Sequence, residues 1–322
     1  MTDPLRPAPD ERTPAELLAF GVVNLDKPAG PSAHQVAGWV RDLAGDAISD
    51  LAASAGDDAA DSETASPDGP TIDRAAHAGT LDPKVTGCLP MLLGDATRMA
   101  QVFLEGHKEY VAVLELHGPA PADFDDVLEQ FEAPLYQKPP RKSAVSRRLR
   151  VREIYGLDLL DHRDRQALLR IECESGTYVR KLCHDLGLAL GTGAHMGHLR
   201  RTATDPFDDR SLVDLHAFTD ALEFAREGDT APLREIVQPA ERALEHLPSV
   251  VIAPSAAREV ATGAPVYAPG VIDGPGVDDD ADSDEPLVAC YTPNGSAVCL
   301  GTLVADADVD SGVVVDLERV LV

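Results

Sequence analysis

Ala76-His-Ala-Gly-Thr-Leu-Asp-Pro-Lys-Val-Thr-Gly-Cys-Leu-Pro90 is the stretch that the rest of the chain serves. Asp82 stands between glycines at 79 and 87, and Pro83 follows it directly. Such a density of Gly and Pro between two apolar segments reads as a tight loop, not as the interior of a helix or strand. A lone acid on a shaped loop is a candidate for chemistry. It is equally an Asp that caps its own turn or the next helix, and the loop alone does not choose between the two.

Upstream, the apolar run Gly21 to Leu25 predicts a strand that delivers Lys27 and Pro28 to a turn. Ser32 then caps a helix, with Gln35 at the capping-box position and Val36, Trp39, Val40 and Leu43 on one face. Downstream, Gly94 to Gly106 reads as a helix and leads into Lys108-Glu-Tyr-Val-Ala-Val-Leu-Glu-Leu-His117. There Tyr110, Ala112, Leu114 and Leu116 alternate with Val111, Val113 and Glu115, as a half-buried strand requires. Asp123 to Glu132 carries Phe124, Val127, Leu128 and Phe131 at helical spacing. Ala167 to Ser175 alternates again, and Gly176-Thr-Tyr-Val-Arg180 turns it into a helix whose buried stripe is Val179, Leu182, Cys183 and Leu186. That leaves Arg180 near the helix start, pointing away from the stripe.

These segments together resemble the TruB/Cbf5 (dyskerin) family of RNA pseudouridine synthases. The Gly-Thr-Leu-Asp-Pro segment is similar to its catalytic loop, which implies Asp82 as the catalytic residue. Lys-x-Tyr, ending at Tyr110, resembles its second motif, whose ring stacks on a flipped uracil and whose hydroxyl is available for proton traffic. Glu-Ser-Gly-Thr-Tyr-Val-Arg resembles its third, which implies that Arg180 pairs with Asp82. The resemblance further implies substrate contacts for Lys27, His77, Lys108, Leu199 and Arg200, with Leu199 as the apolar wall of the uracil pocket and the Lys27-Pro turn as a brace for the loop. The segment from Cys183 to Arg201 is closer to the archaeal and eukaryal branch than to the bacterial one. No cofactor is implied. His195 and His198 suggest a metal pair only superficially, because no third ligand with convincing spacing accompanies them.

Composition sets an objection that the resemblance must meet. The 322 residues carry 28 Lys and Arg against 55 Asp and Glu, a formal charge of -27, whereas polyanion binding rests on basic residues. The basic residues, however, are mostly Arg and concentrate between Pro140 and Arg201, above all in Gln137-Lys-Pro-Pro-Arg-Lys-Ser-Ala-Val-Ser-Arg-Arg-Leu-Arg-Val-Arg152, which lacks a helical phase and reads as a phosphate-contacting loop entering a strand. At molar salt the Debye length is about 3 Å, so a diffuse acidic surface scarcely repels RNA from a local basic groove. A salt-adapted, haloarchaeal cytoplasm follows as the expectation. Five cysteines, odd in number and without a Cys-x-x-C pair, point to reduced thiols in a cytosolic protein. No apolar run approaches about 18 residues, so membrane insertion is not expected.

The expected fold class is α+β: a flexible tail over 1–13, a catalytic domain of largely antiparallel sheet with flanking helices over 14–247, and a small C-terminal β-barrel over 248–322. Residues 45–71, rich in Ala, Ser, Gly, Asp and Glu, read as an acidic disordered insertion. Helical patterns recur around Leu212 to Phe218 and Leu233 to Leu247, and after Pro248 short Val-rich runs separated by Gly/Pro turns take over. That last part resembles a PUA domain, an RNA-binding module, although its acidic loop Val277 to Glu285 departs from a phosphate-binding surface.

Three readings compete. The first is a pseudouridine synthase acting on uridine 55 of the tRNA TΨC arm, on ribosomal RNA, or on both. The short passage from His117 to Phe124 and the PUA-like domain resemble the guide-RNA-dependent subunit of H/ACA particles, whose partners would be a guide RNA with Nop10, Gar1 and L7Ae. The second is a catalytically idle RNA scaffold. The third is an aspartate-dependent phosphatase or glycosidase, against which stand Lys84, where an Asp-x-Asp phosphatase needs an acid, and the want of a paired carboxylate.

Overall fold

In the computed structural model, which describes residues 3–58, 72–103, 106–139, 146, 148–276 and 286–322, the first regular element is set by Thr13. Its hydroxyl accepts the Glu16 amide at 3.2 Å while the Glu16 carboxylate accepts the Thr13 amide at 2.8 Å. This box starts α1 (Pro14–Ala19), with Pro14 in the first turn, where no amide donor is missed. β1 (Gly21–Lys27) follows. Ser32 and Gln35 make the expected capping box and open α2 (Ala33–Asp58).

The disordered insertion expected from residue 45 is corrected over its first half, because α2 continues to Asp58. Ala44, Ala47, Ile48 and Leu51 prolong the buried stripe of Val36 and Val40, and their burial outweighs the roughly 1 kcal/mol that a helical Gly45 costs. Trp39, expected on that stripe, flanks it and is 44% exposed. Residues 59–71, the second half of the expected insertion, lie outside the described residues, as does the acidic loop 277–285.

The chain then runs β2 (Ala75–His77), β3 (Thr86–Leu93), a 3-10 segment Gly94–Phe103, β4 (Lys108–Leu116), α3 (Phe124–Glu129), β5 (Pro134–Gln137), β6 (Arg150–Arg163), β7 (Gln166–Cys173), α4 (Val179–Ala189), β8 (Ala194–Thr204), β9 (Phe207–Asp208), α5 (Leu215–Arg226), α6 (Ala231–Ile236) and β10 (Gln238–Pro239). The sheet order is β10-β1-β3-β8-β4-β7-β6-β5, with β2 on β3 and β9 on β8. All of these pairs are antiparallel except β3 with β8, the mixed, largely antiparallel sheet expected.

The C-terminal domain holds β11 (Ser249–Ile252), α7 (Pro254–Ala261), β12 (Val266–Tyr267), β13 (Val271–Asp273), β14 (Leu287–Tyr291), β15 (Ala297–Leu303) and β16 (Val313–Val320), in the order β12-β16-β15-β14-β11-β13. α7 was not expected in an all-β unit, and the two last Val-rich runs form the single strand β16. Phe20, Phe103 and Leu92 share one buried cluster with Ala289, Leu300 and Leu321, so the two domains are fused by a common core.

The flexible N-terminal tail is also corrected. Arg12 is fully buried and grips Glu241 with two bonds of 2.8 and 2.6 Å, and a third of 3.1 Å reaches Ser296. Ser296 in turn donates to the Pro7 carbonyl at 2.7 Å, and Arg6 lies 3.9 Å over the Phe20 ring. The segment is therefore a strap fastening the C-terminal sheet to the larger one.

Candidate active site

The loop between β2 and β3 is held by its backbone, with Thr80, Asp82, Pro83 and Lys84 turned outward. Lys27, fully buried at the end of β1, donates to the carbonyls of Pro28 (2.8 Å), Pro83 (3.3 Å) and Val85 (2.8 Å). The Gly30 amide donates to Pro83 at 2.7 Å, and the Val85 amide to Asp82 at 3.0 Å. Leu81 and Val85 are buried on either side, whereas Asp82 between them is exposed. Gly87 makes the close approach to the next strand possible: its φ is +97°, and a Cβ there would lie 2.2 Å from the Arg201 carbonyl. Burial draws the Lys27 amino group below its usual range, an effect partly offset by Asp82.

The chain leaves β7 through a turn with Gly176 at φ +80° and enters α4. Gln137, 1% exposed, accepts the Tyr178 amide at 2.8 Å and so fixes the residue that precedes α4. Val179, Leu182, Cys183 and Leu186 bury one face as expected, and Arg180 turns to the other. Its Nη2 lies 2.6 Å from Asp82 Oδ2, with both side chains partly open to solvent.

Tyr110 sits in β4 directly opposite Arg201 of β8, which is opposite Gly87 of β3. The half-buried Tyr110 ring packs on the main core, and the buried Arg201 is its cross-strand neighbour. The Arg201 guanidinium donates to the carbonyls of Cys88 (2.7 Å), Ala78 (3.3 Å) and Gly79 (3.4 Å). Arg201 therefore joins the start of the Asp82 loop to the strand pair that carries Tyr110.

The structure distributes the other expected contacts unevenly. His77 is partly buried beside the loop, and burial, reinforced by Arg201, draws its ring below the usual histidine range. Leu199 is 7% exposed and belongs to the main core, against which Tyr110 also packs. Lys27 is a brace whose donors are spent on the loop, not a free cation. Lys108 is turned inward, where it donates to the Phe103 carbonyl at 3.1 Å, because it opens β4 on the buried face. Arg200 points to the opposite side of β8 from Arg201 and forms a two-bonded pair with Asp26 at 2.9 and 3.0 Å. His195 meets His117 at 3.0 Å instead of His198, and among the described residues no group of three or more His, Cys, Asp or Glu side chains could hold a metal. Arg201 and Gln137 escaped the sequence reading; the shared strand parity of Leu199 and Arg201 was the available signal for the first.

Comparison with known proteins gives the same set of elements a lineage. Residues 70–123 match the N-terminal domain of the TruB family pseudouridylate synthases, 180–245 the C-terminal domain of tRNA pseudouridylate synthase B, and 7–37 the DKCLD domain. A probable tRNA pseudouridine synthase B of Haloarcula marismortui is 62% identical over 320 residues, covering 99% of this chain and 94% of that one. The chain belongs to the TruB/Cbf5 family of RNA pseudouridine synthases. A TruB/Cbf5 relative from Pyrococcus abyssi, also named a probable tRNA pseudouridine synthase B, is 39% identical over 328 residues, covering 99% of this chain and 89% of that one. Among solved TruB/Cbf5 structures, the Cbf5 of a Cbf5-Nop10-Gar1 complex superposes with a TM-score of 0.83 at 37% identity, covering 100% of this chain and 91% of that one. A chain of an H/ACA RNP bound to a substrate RNA containing 2'-deoxyuridine gives 0.81 at 36% identity, covering 100% and 92%. The match spans both domains and the N-terminal strap. Among the described residues no helix is long and apolar enough to cross a membrane.

Proposed function

We propose that the chain isomerises uridine to pseudouridine in RNA, with Asp82 as the catalytic carboxylate, Arg180 as its ion-pair partner, and Tyr110 stacking on the extruded base. The reaction breaks the C1'–N1 bond, turns the base and joins C1' to C5, with no redox change and no group leaving. A carboxylate held on a rigid loop suffices as nucleophile or base once the uracil is out of its stack. The observation that carries this reading is the 2.6 Å contact between Arg180 and Asp82, made by residues 98 positions apart on separately braced elements. A paired cation fixes the direction of the carboxylate.

The substrate is tRNA at uridine 55, ribosomal RNA directed by an H/ACA guide, or both. The relatives are named for tRNA, whereas the solved neighbours were seen with Nop10 and Gar1 or in an H/ACA particle. The few residues between β4 and α3 favour the guide-dependent mode, in which a guide RNA with Nop10, Gar1 and L7Ae would position the target and the C-terminal sheet would bind RNA as a PUA domain. The working compartment on this reading is the cytoplasm. Tritium release from C5-labelled uridine in tRNA and in a guide-paired target, with and without guide and accessory proteins, tests the whole. Release from neither substrate under any combination overturns it.

A further inference from the structure

We propose that Arg201 is a positioning residue for this isomerisation: its guanidinium holds the Asp82 loop in place next to its cross-strand neighbour Tyr110 and keeps a fixed positive charge near that ring's hydroxyl while the C5 proton leaves. The inference rests on the roles of Asp82 and Tyr110 proposed above.

Arg201 is 1% exposed, and a buried charge costs several kcal/mol unless its donors are met and its charge is matched. Its guanidinium donates to the carbonyls of Ala78, Gly79 and Cys88. Among the described residues these partners are all neutral. The charge is thus not consumed by a counter-ion and stays available to negative charge that develops nearby. Its reach is visible in the surroundings, where it adds to burial in disfavouring the protonated forms of His77 and Lys108. For Tyr110 it opposes burial, which otherwise disfavours the ionised hydroxyl, as the Cys173 and Cys88 thiols also do.

The geometry allows no slack. β8 lies between β3 and β4, and Arg201 stands opposite Gly87 on one side and Tyr110 on the other. Its fork reaches back to residues three and four positions before Asp82, so acid and ring are referenced to one guanidinium. In the rearrangement one proton leaves C5 and one is taken up at N1, so the proton count closes. A hydroxyl that relays the C5 proton carries negative charge in passing, and a fixed guanidinium charge beside it stabilises that charge.

The test is a double-mutant cycle in single turnover with C5-tritiated RNA, using the full chain with whatever guide and partners its activity needs. Arg201→Lys keeps the charge and loses the fork. Its RNA affinity should stay within about twofold and its rate fall by about 10²-fold, the scale of a misplaced catalytic group. In a Tyr110→Phe background the same substitution should cost less than about threefold. Equal losses in both backgrounds overturn the proposal and leave Arg201 a purely structural residue. Wild-type turnover by Tyr110→Phe alone overturns the role of the hydroxyl and the proposal with it. Should Arg201→Lys fail to fold, the side-chain nitrogen NMR signals of Arg201 in the parent serve instead: they should move when Tyr110 becomes Phe, and unmoved signals overturn the proposal.

Discussion

Arg180 Nη2 and Asp82 Oδ2 stand 2.6 Å apart, and neither side chain is buried. A structural ion pair in so open a place is worth about 0–1 kcal/mol, too little to explain why two separately braced elements present these groups to each other. Asp82→Asn keeps shape and polarity while removing the charge. Turnover should vanish, RNA affinity should hold, and stability should move by less than about 1 kcal/mol. Tritium release, a binding isotherm and a melting curve read the three; retained isomerisation would defeat the assignment.

Arg180→Ala separates positioning from folding. Its position on the solvent side of α4 predicts a change in stability of less than about 1 kcal/mol. The freed carboxylate loses its direction, and the rate per folded molecule should fall by about 10²-fold. A large loss of melting temperature with intact activity would make Arg180 a structural residue.

What could be read before the structure was local, and what could not was long-range. The Gly/Pro density around Asp82, the alternation from Tyr110 to Leu116 and the strand-Gly-helix passage into Arg180 each lie within about fifteen residues, which is why their secondary structure and chemistry emerged together. The strap did not: Arg12 meets Glu241 and Ser296, 229 and 284 residues away, and a polar, proline-rich segment gives no local sign of a partner that distant. Arg200 and Arg201 show a third limit. Adjacent strand residues point to opposite faces, so the choice between them depends on which face is inward, and Leu199, inward and of the same parity as Arg201, settles it only once β8 is placed at the centre of a sheet.

The strap yields a stability prediction. Arg12→Ala leaves Glu241 buried beside the C-terminal sheet with one hydrogen bond, from the Ala297 amide, and only the more distant Arg6 charge to offset its own. Losing one partner of a buried pair costs about 3–5 kcal/mol. Because Arg12 lies in the strap and not at the Asp82 loop, the rate per folded molecule should persist. Denaturant titration with a parallel activity assay checks both; a loss under about 1 kcal/mol would show that the pair is dispensable.

A formal charge of -27 predicts a strong dependence on salt. Repulsion among surface carboxylates is felt over about 30 Å at 0.01 M and about 3 Å at 1 M. The midpoint of thermal unfolding should therefore climb steadily as KCl is raised toward multimolar levels, and a midpoint that stayed flat would count against salt adaptation.

Lys108 predicts a pH dependence of a definite sign. Burial, with Arg201 adding to it, draws the amino group down to about 8, from 10.5. Below pH 8 the lysine is charged in both states and the burial penalty stands in full. Between about 8 and 10.5 the unfolded chain holds a proton that the folded chain has released, so this residue makes folding more favourable as pH rises. The gap between the two values corresponds to about 3 kcal/mol. Lys108→Met removes that dependence while filling the same buried place. The parent should accordingly gain on the variant by up to about 3 kcal/mol as denaturant titrations at fixed KCl proceed from pH 8 to 10.5. A difference that stays constant over that window would mean the lysine remains charged in the fold, its ammonium held by the Phe103 carbonyl against the cost of burial.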